Sequence, residues 1–190
     1  MKKAILVIWL TAVCGISAFA QGGSTWQIDP AHANAQFSVR HLGISNVQGE
    51  FTKVTGTVQL NDDITKSSVN ATIDMNSVDT RNDHRDADLK GPGFFDTAKY
   101  PTMTFQSTKI TRQGDGRLQV KGNLTLHGVT KEVSFDVQGP TESIKDPWNN
   151  DRRGASATAT IKRSDFGVTK DAGMVGDDIS IILDVEMVKK

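Results

Sequence analysis

After residue 21, runs of alternating apolar and polar residues recur almost to the C-terminus, each closed by Gly, Asn or Asp. In Ile179-Ser180-Ile181-Ile182-Leu183-Asp184-Val185-Glu186-Met187, the residues Ile179, Ile181, Leu183, Val185 and Met187 fall on one side. Successive side chains of a strand point to opposite faces, so such a run has one apolar and one mostly wet face. Many strands with little helix predict a sandwich or a barrel. A sheet that rolls up with its apolar faces inward encloses a greasy interior, which makes ligand binding the leading expectation.

The rhythm can be followed along the chain. Phe37 and Val39 alternate with Ser38 and Arg40, and a long run from Val47 to Leu60 contains Gly49 and Gly56. Glycine inside a strand marks a bulge or bend, which a small barrel needs where its sheet curls. Asn61-Asp62-Asp63 is a turn signal, and Val69, Ala71, Ile73 and Met75 form the next apolar side. Thr102–Thr111 carries Met103 and Phe105, and Gly114-Asp115-Gly116 reads as a hairpin turn. Leu118, Val120, Leu124 and Leu126 follow, then a turn at His127-Gly128, then Val133, Phe135 and Val137 in phase. Ala155, Ala157, Ala159 and Ile161 give a strand with a small-residue face. About eight main strands result, the size at which side chains either fill a barrel or leave room for one small ligand. The alanines fit room inside, and equally a neighbouring Phe or Trp whose crowding they relieve.

The rhythm breaks between Val78 and Tyr100. Arg81, Asp83, Arg85, Asp86, Asp88 and Lys90 form the densest charge cluster, with Leu89 the one large apolar residue among them. A short helix or loop insertion is expected around 81–96, stopped by Gly91-Pro92-Gly93. Phe94-Phe95 is expected to tuck one ring beneath it as an anchor. The charges read as a solvated face with weak ion pairs, or as a polar cap at a cavity mouth, where Arg85 can fork a phosphate or quinone oxygen.

The first twenty residues read as a cleavable signal peptide: Lys2 and Lys3, an apolar stretch Ala4–Val13 too short to span a bilayer, and Ala18-Phe19-Ala20 as the cleavage site. The expected product is one domain, 21–190, exported to a periplasm where the cell has an outer membrane. The only cysteine, Cys14, leaves with the signal, so the remainder has no disulfide, thiolate ligand or thiol nucleophile. Removing Lys2 and Lys3 leaves the acidic residues ahead by two, which argues against nucleic acid as a partner. The histidines His32, His41, His84 and His127 lack metal-ligand spacing. No Gly-x-Ser-x-Gly elbow or phosphate-binding loop occurs. Trp26, Tyr100 and Trp148 are too few to form the aromatic girdles of a membrane-embedded barrel.

Several segments, taken in order, resemble the YceI-like family: Trp26-Gln27-Ile28-Asp29-Pro30-Ala31-His32, Phe37-Ser38-Val39-Arg40-His41-Leu42-Gly43, Gly49-Glu50-Phe51, Arg85-Asp86, Phe94-Phe95-Asp96, Gly122-Asn123-Leu124-Thr125-Leu126-His127-Gly128-Val129-Thr130 and Arg163-Ser164-Asp165-Phe166-Gly167. The resemblance covers essentially all of 21–190. It implies an all-β, extended, lipocalin-like antiparallel barrel of eight strands holding an amphiphile in an apolar tunnel, with no chemistry of its own. Two positions depart from the family pattern: Asp88 stands where a His is common, and Gly93 where an acidic residue precedes the Phe pair.

The resulting expectation is an exported binding protein for a polyisoprenoid, isoprenoid quinone or fatty-acid derivative, needing no other cofactor. Phe37, Val39, Phe51, Ile73, Met75, Met103, Phe105, Leu124, Phe135 and Phe166 are the candidate cavity residues, and His41, Arg85 and Asp88 the candidate headgroup contacts. Carriage, storage and sequestration fit equally. The alternatives are an enzyme acting on a lipid in the barrel, which needs polar groups with perturbed pKa inside the cavity and would be favoured by a buried His41 or His127 beside a carboxylate, and a ligand-free, stress-related structural module. A homodimer and a delivery partner in the membrane stay open, and the chain is not expected to be an integral membrane protein.

Overall fold

The computed structural model describes residues 23–190; the expected signal segment and Cys14 lie outside the described residues. In chain order the elements are β1 (Gly23–His41), β2 (Ser45–Phe51), β3 (Val54–Asn61), β4 (Ser68–Asp74), β5 (Val78–Asp79), α1 (Asp83–Lys90), β6 (Thr102–Gly114), β7 (Arg117–Leu126), β8 (Val129–Gln138), β9 (Ile144–Lys145), β10 (Asp151–Lys162) and β11 (Val175–Lys189).

The strands run antiparallel in the order β11-β10-β8-β7-β6-β4-β3-β1, and β1 pairs back onto β11, so eight strands close into a barrel. The closing seam is long, from Trp26 opposite Lys189 to His41 opposite Val175. On the other edge of β1, β3 pairs with its first part and β2 with its last, and β5 extends β2. This up-and-down succession places connections 42–44, 75–101, 127–128 and 163–174 at one end, here the upper end. Connections 62–67, 115–116 and 139–150 lie at the lower end.

β1 keeps its apolar face inward by means of a bulge. Between Ile28 and Ala33 five residues of β1 advance while β11 moves only from Met187 to Val185. Pro30 has no N–H to give the ladder, and Asp29 accepts the Ala31 N–H at 3.1 Å. Ile28 is buried before the bulge and Ala35 after it, so the odd step restores the alternation.

The long run Val47–Leu60 is broken, but not at its glycines. Pairing is uninterrupted at Gly49 with Phe37 and at Gly56 with Ala71. These positions are close approaches: a Cβ on Gly49 would lie 2.5 Å from the Phe37 ring, and on Gly56 2.5 Å from the Asn70 carbonyl oxygen. The break falls at Thr52-Lys53, because the Thr52 N–H donates to the Ser77 carbonyl (3.2 Å) and the Lys53 N–H to Ser77 Oγ (3.1 Å). Met75, expected on a strand, instead opens a 3-10 turn (Met75–Ser77) with Asp74 accepting from the Asn76 N–H. It is nevertheless among the most deeply buried side chains.

The insertion at 81–96 contains the helix α1. Asn82 caps it by accepting the Arg85 N–H, with Asp83 and Asp86 in its first turn and Lys90 in its last, charges that suit the helix dipole. No residue of α1 is fully buried, so the helix is held by its ends and by Leu89, which packs on the barrel core. The outward faces of the barrel strands carry residues such as Ser156, Thr158, Thr160 and Lys162. A membrane-embedded barrel presents an apolar band there instead. Among the described residues, no helix is long and apolar enough to cross a membrane.

Candidate functional site

The inward residues do not fill the barrel. They leave a cavity of about 270 Å³ whose lining is almost wholly apolar. It runs from Leu89, Phe94, Phe95 and Val175 at the upper end to Ile64, Leu118 and Pro140 at the lower end. Its walls come from every barrel strand, because each contributes one inward face.

Of the residues singled out in the sequence, Phe37, Val39, Phe51, Ile73, Met75, Met103, Phe105, Leu124 and Phe135 lie on this wall. Phe166 does not: at 1% exposure it is packed in the core cluster. The aromatic residues are arranged as tilted or edge-on pairs, Phe37–Phe51 at 5.7 Å and Phe105–Phe135 at 5.2 Å between centroids. The alanine face of β10 combines both of its readings. Ala155 and Ala157 line the cavity, and Ala155 also packs on the cluster around Trp26.

The upper end is covered. Phe94 and Phe95 both reach the cavity wall rather than one ring alone, and Phe95 packs on Phe51 at 5.8 Å. Lys170, from the opposite connection, bonds Asp88 at 2.6 Å and lies 4.8 Å over the Phe94 ring. This hydrogen bond from Lys170 to Asp88 raises the pKa of the ammonium. A Cβ on Gly93 would sit 2.5 Å from Lys170 Cδ. The two departures from the family pattern, Asp88 and Gly93, therefore meet at one side chain.

The candidate headgroup residues share the upper end, but two have other partners. Arg85 Nε donates to Thr80 Oγ1 and Nη2 to the Thr80 carbonyl, both at 2.8 Å, and Asp86 accepts the Thr80 N–H and hydroxyl. Arg85 thus ties α1 to Thr80, the residue that follows β5, and Asp88 is engaged by Lys170. His41 is half-buried at the end of β1, opposite Val175. His127 Nδ1 donates to the Phe166 carbonyl at 3.3 Å, and its ring meets Tyr100 edge-on. The histidine that does contact a carboxylate is His32, 3.0 Å from Asp29 on the rim of the lower end. No group of three His, Cys, Asp or Glu able to hold a metal occurs among the described residues.

One charged wall residue was not in the candidate set. Arg163 is 6% exposed and lies on the cavity wall. Its guanidinium donates to the carbonyls of Val168, Lys170, Val175 and Gly176 at 2.7–3.0 Å. These carbonyls satisfy a charge that would otherwise be costly to bury, and they fold the connection 163–176 onto the barrel. The sequence signal was an arginine directly after an inward-facing strand, in a segment resembling the family motif.

The lower end is fastened by ions. Arg152 bonds Asp29 (2.7 Å), Asp146 (2.9 Å) and Glu186 (3.1 Å), joining the 139–150 connection to β1 and β11. The Arg152 hydrogen bond, followed by that of His32, holds Asp29 at about 2 against an ordinary 3.8. Asp146 is held lower still, chiefly by Arg152.

The fold and its interior define a class: an antiparallel eight-stranded barrel built around an apolar cavity and roofed at one end by a helical insertion. The chain belongs to the YceI-like family, whose domain matches residues 26–187. It is 38% identical to the UPF0312 protein of Pectobacterium atrosepticum over 197 aligned positions, covering 100% of this chain and 99% of that protein. The crystal structure of a Campylobacter jejuni YceI protein is similar with a TM-score of 0.67 at 32% identity, covering 80% of this chain and 90% of that one. A polyisoprenoid-binding domain from Saccharophagus degradans has the same fold, with a TM-score of 0.66 at 17% identity over 87% of this chain and 98% of that one.

Proposed function

We propose that this protein is a non-enzymatic binding protein that holds one long apolar chain, isoprenoid or acyl, along the barrel axis. It acts in the periplasm after removal of residues 1–20, and it carries, stores or sequesters a molecule too insoluble to cross water alone. The observation that carries this reading is the unfilled apolar interior. At ~24 cal/mol per Å³, a cavity of about 270 Å³ without an occupant forfeits about 6 kcal/mol of packing, comparable with the whole stability of a domain, ~5–15 kcal/mol. A hydrocarbon chain recovers that packing and gains ~0.8 kcal/mol per buried methylene before ordering costs. The Saccharophagus domain, described as polyisoprenoid-binding, lends the ligand class support.

The test is to purify the protein without detergent, extract it with organic solvent and analyse the extract by mass spectrometry. A near-stoichiometric long-chain lipid is expected. Preparations that repeatedly yield none, with the interior collapsed shut, defeat the proposal.

A further inference from the structure

Of the seams that close the barrel, the one between β8 and β10 is the shortest. Its ladder runs only from Ser156 opposite Gln138 to Thr158 opposite Asp136. On their other edges the same strands are paired throughout, β8 with β7 from Gln138 to Val129 and β10 with β11 from Arg152 to Lys162. Above Thr158 and Asp136 the two strands part. Residues 129–135 and 159–162 then present backbone edges that no ladder joins. At ~3.3 Å per residue, residues 159–162 leave a slot about 13 Å long. Its top is closed by the 3-10 turn Arg163–Phe166, which reaches the β7–β8 turn where His127 Nδ1 donates to the Phe166 carbonyl.

The borders of the slot suit a hydrocarbon. Phe135 and Ile161 lie on the cavity wall at its two sides, and Val133 packs on the core cluster that contains Phe166. Val133 and Ala159 are only half-buried, although Phe135 and Ile161, next in phase, are buried. Side chains alone, without a backbone ladder, therefore separate the interior from water here. Ala159 continues the small-residue face of β10, which leaves passage at this edge.

The sequence is nevertheless matched for closure. Continuing the register of the existing pairs sets Phe135 opposite Ala159, Ser134 opposite Thr160, Val133 opposite Ile161 and Glu132 opposite Lys162. The inward pairs are then apolar, with the large Phe135 against the small Ala159. Outward, hydroxyl meets hydroxyl and carboxylate meets ammonium, pairings that stabilise an antiparallel ladder. In the parted arrangement Lys162 instead bonds Asp178 at 2.9 Å. The connection 163–174, which frames the slot, is held to α1 by Lys170 on Asp88.

We propose that this seam is a side gate. β8 and β10 part to admit a hydrocarbon chain sideways into the cavity, and close behind it by extending their ladder to Glu132 and Lys162. That the gate passes lipid rests on the reading of the cavity as a lipid site; the zipping of the strands does not.

The test is a pair of cysteines across the slot, Ser134→Cys with Thr160→Cys, in the protein freed of residues 1–20, since residues 21–190 contain no cysteine. A disulfide needs Cα atoms within about 7 Å, so this one forms only when the strands zip. The control pair, Thr158→Cys with Ile182→Cys, spans the β10–β11 seam, where the two residues already face each other. Uptake and release of a fluorescent long-chain fatty acid are followed by stopped flow before oxidation, after it, and again after reduction. Both pairs are expected to cross-link. The slot disulfide slows uptake and release by about tenfold or more, because the passage that limits exchange is shut, and the control disulfide leaves both rates unchanged. Recovery on reduction separates blockade from misfolding. A slot pair that will not cross-link overturns the proposal, because the strands then never zip. So does a slot disulfide that forms and leaves both rates unchanged, or a control disulfide that slows them equally. A wild type that binds no probe and yields a lipid-free extract, in a protein whose slot pair still cross-links, refutes the cavity reading and leaves the two states of the seam intact.

Discussion

Ala157→Phe distinguishes a roomy barrel from a packed one by the sign of its effect. Ala157 faces inward, opposite Val137 on β8 and Leu183 on β11, and lies on the cavity wall. The added phenyl group occupies roughly 100 Å³, which fits inside a cavity of about 270 Å³. At ~24 cal/mol per Å³ recovered, delipidated protein gains up to about 2 kcal/mol. The same ring displaces the equivalent of about four methylenes from a bound chain, which at ~0.8 kcal/mol each removes about 3 kcal/mol of binding, or about two orders of magnitude in affinity. The assay is urea unfolding of delipidated protein paired with titration of a fluorescent long-chain fatty acid. Stability should rise and affinity fall. A loss of ~1–3 kcal/mol in stability, the signature of overpacking, with probe affinity unchanged, would refute the reasoning.

Three further perturbations test other parts of the structure. Gly56→Ala brings a methyl group to 2.5 Å from the Asn70 carbonyl oxygen, a backbone atom held in the β3–β4 ladder; a loss of about 1–3 kcal/mol in urea unfolding is expected, and a neutral substitution would mean the strands are further apart than described. Asp29 titrates near 2 and Asp146 below its ordinary range, so their contribution is complete above 3.8 and lost as pH falls through the folded values. Hydrogen-exchange protection of residues 144–150 should therefore decline toward pH 2 ahead of the barrel strands, and Asp146→Asn should remove that selective decline. Asp88→Ala breaks the bond to Lys170 over the upper cover; since an exposed pair contributes ~1 kcal/mol or less, the thermal midpoint should hardly move, whereas stopped-flow release of the fatty-acid probe should quicken several-fold.

Alternation made the inward face readable, because strand side chains have a period of two whatever their surroundings. Phe37, Phe105 and Phe135 reach the cavity wall for that reason. Closure was another matter. The β1–β11 seam pairs Trp26 with Lys189, residues from opposite ends of the described chain, and no local period encodes such a partner. Gly49 and Gly56 looked like bends, yet they are close approaches, a distinction set by the neighbouring strand. The break at Thr52-Lys53 depends on Ser77, twenty-four positions away. Leu89 on a highly charged helix and the buried Arg163 were hard to place for a related reason: both contact the interior through contacts made across the upper end, not through the pattern of their own segment.

The most direct measurement is a crystal structure of the protein purified without detergent from its own host. The account predicts a continuous hydrocarbon chain along the barrel axis, passing Phe37, Phe105 and Phe135 between the Phe95 cover and Pro140. Those rings interlocked across the axis, with no passage between them, would contradict it.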